Sequence, residues 1–204
     1  DGFPCENIDV LRNWILERLS EIKELNNYVL KAINFSTYGA SFVHIDQNGE
    51  VVTPLYNYTK QIDEKVVADF YEKYGPELEL TRTSGSPKSG LLNSGMQLYW
   101  IKHTKPEVFK KIKYSMHLPQ YLSYIFTGIP VSEYTSIGCH TSLWNYETKD
   151  YQDWVYKEEI HKILPPIVST ETSINMNYNG KRIKVGVGIH DSSSALLPYV
   201  RSVK

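Results

Sequence analysis

Toward the end of the sequence, "RIKVGVGIHDSSSALLPYV" (182–200) sets His190 and Asp191 side by side, followed by Ser192, Ser193 and Ser194. The alternation of isoleucine, valine and glycine up to Ile189 predicts a buried strand, and the apolar run after the serines predicts a helix from about Ser193. A carboxylate at such a junction can cap the helix by accepting from its free N–H groups. It can equally act as a general base toward a ligand hydroxyl, with the adjacent imidazole donating to a polyol. Ser192 or Ser193 can do the capping, which would free Asp191 for chemistry. The local pattern leaves both roles open. Gly39, after Tyr38 in "STYGA" (36–40), ends another apolar run. A glycine there supplies either a positive φ for a tight turn or room for a ligand against the backbone.

Other chemistries are excluded by spacing. "GVGIHD" fails as a dinucleotide fingerprint, because Asp191 stands where the third glycine belongs and would repel a pyrophosphate. "SGSPKSG" has Pro87 before its lysine and no preceding strand, so it is not a phosphate-cradling loop. No serine sits in G-x-S-x-G. The histidines at 44, 103, 117, 140, 161 and 190 have no zinc-site spacing.

The elements that must carry these residues read as follows. Residues 9–25 predict an amphipathic helix with Leu11, Trp14, Ile15, Arg18, Leu19, Ile22 and Leu25 on one face and Asp9 as its cap. "NN" at 26–27 breaks it, and "YVLKAINF" follows as a buried parallel strand. Asn48-Gly49 predicts a hairpin between "SFVHID" and "EVVTPLY". Helices are expected over 61–74, in "LLNSGMQLYWIKHT", in "KPEVFKKI" with Pro106 in the first turn, in "LPQYLSYIFTG" closed by Gly128, and around "DYQDWVYKEEIHKIL". "TRTSGSPKSG" (81–90) reads as a loop, and "VSEYTSIGCHTSLWN" as irregular backbone lining something. Helix, strand, hairpin, several helices, strand and helix make an α/β layout with parallel strands far apart in sequence. Such sheets put ligands beyond the carboxyl ends of their strands, where Gly39 and Asp191 both fall.

With 204 residues, 41% hydrophobic and 22% charged, the chain has material for a substantial core. A net charge of −1 gives no pull toward nucleic acid, and no apolar run approaches a membrane span. The sequence opens without signal-peptide features, and Cys5 and Cys139 make no disulfide scaffold, so a reducing cytoplasm is expected.

Taken together and in order, "INFSTYGASFVHIDQNGEVVTPLYNY", "SGMQLYWIKHTKPEVF", "HLPQYLSYIFTGIPVSEYTSIGCHTSLWN" and "VGIHDSSSALLP" resemble the N-terminal domain of the FGGY carbohydrate kinases, from about residue 3 to the end. The T-aromatic-G-x-x-F-V run and the His-Asp-Ser signature look most like the rhamnulokinases. The resemblance implies a ribonuclease-H-like domain of the actin and hexokinase superfamily, incomplete at its N-terminus. It makes residues 1–204 part of a sugar-binding domain, with the C-terminal nucleotide domain absent, within a kinase of roughly 450–500 residues. It implies Asp191 as catalytic base, and Tyr38, Gly39, Tyr134, His190 and Ser192 as sugar-contacting positions. ATP and Mg2+ would serve the full-length enzyme, with none expected on this chain alone, which is expected to be inactive. The partner would be a small ketose, L-rhamnulose- or L-fuculose-like, and a homodimer is left open.

Where the family carries Y/W-x-D-x-R, this sequence reads "YNYTK", with Tyr58 for the aspartate and Lys60 for the arginine. That departure leaves two alternatives open: a non-catalytic sugar-binding protein with a kinase fold, or a kinase for another sugar such as a pentulose.

Overall fold

The computed structural model describes residues 5–25, 27–178 and 180–202. In chain order the elements are β1 (Cys5–Glu6), α1 (Ile8–Glu24), β2 (Ala32–Ile33), β3 (Ser36–Thr37), β4 (Phe42–Ile45), β5 (Leu55–Tyr56), α2 (Glu64–Tyr74) and α3 (Glu77–Ser84). A 3-10 turn (Gly90–Leu92) leads into α4 (Ser94–Thr104), then α5 (Pro106–Phe109), β6 (Tyr114–His117), α6 (Leu118–Thr127), β7 (Ser132–Glu133) and α7 (Tyr134–Ile137). The chain continues through β8 (Trp144–Asn145), β9 (Asp150–Tyr151), α8 (Asp153–Lys157), a second 3-10 turn (Ile160–Ile163) and β10 (Ile167–Val168). It closes with β11 (Ser173–Tyr178), β12 (Lys181–Gly186), β13 (Ile189–His190) and α9 (Asp191–Ser202). Among the described residues, no helix is long and apolar enough to cross a membrane.

The α/β layout expected from the pattern is present. The expected buried strand 28–35 is reduced to Ala32–Ile33, which is not buried; β2 lies parallel beside β12, and β3, just after the run, lies parallel beside β13. The two pairings are out of step by one residue. Lys184 opposes Ala32 and Val185 opposes Ile33, whereas Ile189 opposes Ser36 and His190 opposes Thr37. The C-terminal strand therefore holds one extra residue across Gly186–Gly188, which is a bulge. Gly188 takes φ +85°, and a Cβ on it would lie 2.4 Å from the Pro119 carbonyl oxygen, so no other residue fits. Side chains satisfy the disturbed backbone: Asn34 Oδ1 accepts from Gly188 N (3.1 Å), while Gln120 and Ser123 of α6 donate to the carbonyls of Gly188 (3.1 Å) and Gly186 (2.7 Å). Buried backbone groups need such partners, and these fix where β13 begins.

On β4 the period of two sorts side chains between two cores. Phe42 joins Phe70, Trp100 and Trp154 in one cluster. Val43 and Ile45 join Ile8, Ile15, Leu19, Met116 and Leu122 in the other. His44 and His117 are buried on the β4–β6 pair, which runs antiparallel with Phe42 opposite His117.

Several local expectations are corrected. The cap of α1 is Asn7, whose Oδ1 accepts from Asp9 N and Val10 N, so Asp9 lies in the first turn instead. Ile15 and Leu19 are buried, but Trp14, Ile22 and Leu25 remain exposed. Asn26, half of the expected helix break, lies outside the described residues. The stretch 81–84 is helical, because α3 continues through it to Gly85 in the left-handed region. Around 150–163 the single expected helix is a short strand, a five-residue helix and a 3-10 turn, interrupted at Glu159 by a φ of 56°. The hairpin strand β11 was not anticipated. Its Ser-Ile-Asn-Met-Asn-Tyr alternation is nonetheless the period-two signal of a half-buried edge strand. The last helix starts at Asp191 rather than near Ser193.

Candidate functional site

The bulge delivers His190 to the end of β13 with its backbone N–H on Thr135 Oγ1 (3.0 Å). Thr135 Oγ1 donates in turn to Glu133 Oε2 (2.5 Å), a buried carboxylate that also accepts from Thr135 N and Ser136 N. Glu133 thus caps α7 and, through Thr135, holds the strand end that carries His190.

Gly39 lies directly against the His190 ring. A Cβ at Gly39 would sit 2.6 Å from His190 Cδ2, closer than atoms can approach. Its backbone is not in the left-handed region. The turn reading of this glycine is therefore corrected: the missing side chain makes room for the imidazole. The ring is buried, and its Nε2 lies 3.4 Å from Asp191 Oδ1 and 3.7 Å from Cys139 Sγ. Nδ1 has no hydrogen-bond partner among the described residues. Burial pushes the His190 pKa below its ordinary value, and the opposing pull of Asp191 and Glu133 does not overcome it. The ring is neutral near pH 7, able to donate and accept but not to act as a cation.

Asp191 is the first residue of α9 and about half exposed, with 53% of its side chain accessible. Its Oδ1 accepts from Ser192 N (2.6 Å) and Ser192 Oγ (3.3 Å). Oδ2 has no hydrogen-bond partner among the described residues, which leaves one carboxylate oxygen to meet a ligand. Ser192 thus engages one oxygen of the side chain and leaves the other open.

Tyr38 is half-buried and tilts onto Tyr58, with ring centroids 5.4 Å apart. Burial, with Glu6 and Tyr58 adding to it, pushes its hydroxyl up to about 12, so it stays protonated and can donate. The "YNYTK" turn is closed by Asn57, whose Oδ1 accepts from Thr59 N (2.9 Å) and Thr59 Oγ1 (2.8 Å). Tyr58 and Thr59 stand between a small cleft of about 150 Å3, shared with Glu6, Tyr38 and Asn57, and a larger one of about 870 Å3 reaching Lys88 and Gly90. Gly39, His190, Asp191 and Ser192 form one cluster, and Tyr38 flanks it in sequence with its ring turned to Tyr58. Tyr134 is 53% exposed and packs edge-on against Trp144 at 5.6 Å. It contributes no hydrogen bond or ring contact to His190 or Asp191 among the described residues.

Sequence reasoning missed Cys139, His140, Thr135 and Glu133 as neighbours of His190. Their one signal was the irregular, polar character of 131–145. Among the described residues, no group of three or more His, Cys, Asp or Glu side chains is placed to hold a metal ion.

The profile of the FGGY family of carbohydrate kinases, N-terminal domain, matches residues 9–197. A rhamnulokinase of Mannheimia succiniciproducens is 27% identical over 157 residues, covering 74% of this chain and 32% of the relative. A rhamnulokinase of Yersinia pestis is 26% identical over 202 residues, covering 97% of this chain and 41% of the relative. The chain therefore spans about a third to two fifths of the length of these relatives. Among solved structures, a carbohydrate kinase from Novosphingobium aromaticivorans superposes with a TM-score of 0.85 at 27% identity, over 97% of this chain and 43% of that one. A ligand-bound xylulose kinase from Lactobacillus acidophilus shares the fold, with a TM-score of 0.81 at 17% identity over 96% of this chain and 43% of that one. The mixed α/β fold is that of the FGGY sugar kinases, actin- and hexokinase-like.

Proposed function

Because the chain belongs to the FGGY family of carbohydrate kinases, we propose that it forms the sugar-holding part of an ATP-dependent kinase that phosphorylates a ketose, with Asp191 as general base. The observation that carries this reading is the divided carboxylate. Ser192 holds Oδ1 at the start of α9, while Oδ2 is left for a ligand hydroxyl. Phosphoryl transfer asks the protein for alignment, a proton acceptor and charge stabilisation rather than covalent help. Asp191 would take the hydroxyl proton as the oxygen attacks phosphorus. His190, neutral and locked between Gly39, Cys139 and Thr135, would hold an adjacent hydroxyl, and Ser192 and the Tyr38 hydroxyl would extend the polar wall. Fixing the sugar in this way converts binding into proximity.

ATP and Mg2+ enter this proposal through the family. Among the described residues no cluster of His, Cys, Asp or Glu is placed to hold the ion. The rhamnulokinase relatives make L-rhamnulose the first ketose to test, the motif resemblance adds L-fuculose, and the xylulose kinase fold neighbour adds a pentulose. An ATP-using sugar kinase of this kind is assigned to the cytoplasm.

The test uses the full-length protein with Mg-ATP and a ketose panel. Asp191→Asn should lower kcat by about 100-fold or more while leaving ketose affinity within a few-fold. Activity within a few-fold of wild type would reduce Asp191 to a helix cap. One observation favours a second reading, a sugar-binding protein that has lost turnover: Tyr58 and Lys60 replace the acidic and guanidinium groups of the family pattern. Binding of a ketose without phosphorylation across the whole panel would establish it.

A further inference from the structure

Next to His190 lies a second imidazole that the base-catalysed step does not use. The His140 ring stands edge-on to the His190 ring, with centroids 5.8 Å apart. Its Nδ1 is 2.9 Å from Cys139 Sγ, and the same sulfur lies 3.7 Å from His190 Nε2. The thiol therefore sits between the two rings. Burial, with the charge of Asp191 adding to it, pushes the Cys139 thiol above its ordinary value, so it keeps its proton. A protonated thiol donating to Nδ1 leaves the His140 ring proton on Nε2. That nitrogen has no protein partner among the described residues, and the ring is only half-buried.

The backbone shows that this placement is imposed. His140 has φ +37° and Ser142 φ +61°, both outside the regions that non-glycine residues prefer. Such conformations persist only where surroundings over-determine them. Here Asn93 Nδ2 donates to the His140 carbonyl (2.8 Å), Gly95 N to the Thr141 carbonyl (2.9 Å), and Trp154 Nε1 to the Ser142 carbonyl (2.9 Å). Ser142 N donates to Ser86 Oγ (3.0 Å). Three separate segments, around Ser86, at the start of α4 and at Trp154, thus clamp a strained turn whose outward product is the Cys139–His140 pair beside the candidate base.

We propose that His140 is a substrate-contacting residue, which donates through Nε2 to a ketose hydroxyl next to the one Asp191 deprotonates, and that Cys139 fixes the ring for that contact. This rests on the kinase reading above and adds a specificity-determining position to the same site. A neutral polyol calls for neutral donors and acceptors, and His140 supplies one. Burial is the leading cause that pushes its pKa below the ordinary value, so the ring carries no charge near pH 7.

The test measures kinetics and ATP-free ketose binding with L-rhamnulose, or the best ketose of the panel, in the full-length protein. His140→Asn suits the positive φ, so the turn should survive, but its amide falls short of the ring's outer nitrogen. It should raise the ketose KM and the ATP-free dissociation constant about tenfold, leaving the ATP KM unchanged. His140→Gln, with longer reach, should recover part of the loss. Cys139→Val should resemble His140→Asn, and Cys139→Ser, which keeps a donor, should stay near wild type. An active wild type whose His140→Asn and Cys139→Val variants keep wild-type ketose KM and affinity would overturn the inference with the kinase reading intact. A wild type that phosphorylates no ketose would overturn the reading itself, and this inference with it. A His140→Asn variant that fails to fold passes the decision to Cys139→Val, whose unchanged ketose KM would equally sink the proposal.

Discussion

Gly39 has no side chain because His190 occupies the space that one would need, and this makes a sharp test of how the pocket is built. A methyl at position 39 would press on a buried ring already bounded by Cys139 and by the strand end on Thr135. Overpacking of this kind costs about 1–3 kcal/mol. Gly39→Ala should therefore lower unfolding stability by that amount in urea denaturation, and should impair ketose binding by tilting the imidazole. The double variant Gly39→Ala with His190→Ala should regain most of the stability, since residues in contact do not act additively. If both variants lose the same stability, the strain lies in the backbone and the ring is not its cause.

At the level of elements, the helices on the far side of the first core are joined through Glu158, which follows α8 and is only 3% exposed. From α2 it receives Lys73 Nζ (2.9 Å) and the Tyr74 hydroxyl; from α4 it receives Lys102 Nζ (2.8 Å) and His103 Nε2 (3.0 Å). Burial alone would raise its pKa. Hydrogen bonds from Lys102, Tyr74 and Lys73 outweigh that and hold it at about 2, below the ordinary 4.5. A depressed carboxyl stabilises the fold above its unfolded value, and that contribution is lost as pH falls from about 4.5 toward 2. Glu158→Gln should cost about 3 kcal/mol at pH 7, because it leaves the lysines without their counter-charge. Urea titrations should show the difference from wild type shrinking through that acid window. A difference that holds constant down to pH 2 would show that Glu158 acts by shape alone.

For the molecule as a whole, acid sensitivity should begin well above that window. His44 and His117 lie on the β4–β6 pair between the two cores, bonded to Ser115 Oγ (2.8 Å) and Ser94 Oγ (2.9 Å). Burial lowers each to about 3 from an ordinary 6.5, and His117 is lowered further by His190, His140 and His44. Below pH 6.5 the unfolded chain takes up protons that the folded one refuses, so folding loses about 1.4 kcal/mol per pH unit for each ring. Unfolding free energy should be level above pH 7 and fall by about 2–3 kcal/mol between pH 6.5 and 5.5, with His117→Gln making the slope shallower. A flat profile from pH 7 to 5 would mean that these rings are protonated in the folded protein.

Read alone, the sequence determined that a strand gives way to a helix beside His190-Asp191, the α/β layout, the Asn48-Gly49 turn and the Gly128 stop. Each depends on residues within a few positions of one another, where side-chain period and turn chemistry act. It also held the family motifs, and with them Asp191. Only the tertiary structure decided why Gly39 is glycine, since its reason lies in a ring 151 positions later that parallel strand pairing brings alongside. The one-residue slip between β2–β12 and β3–β13 was equally hidden, because register is a relation between strands. The polar stretch 131–145 has no period to read. Its Cys139 and His140 reach the site because Asn93, Gly95, Ser86 and Trp154 hold a backbone that local preference would not choose.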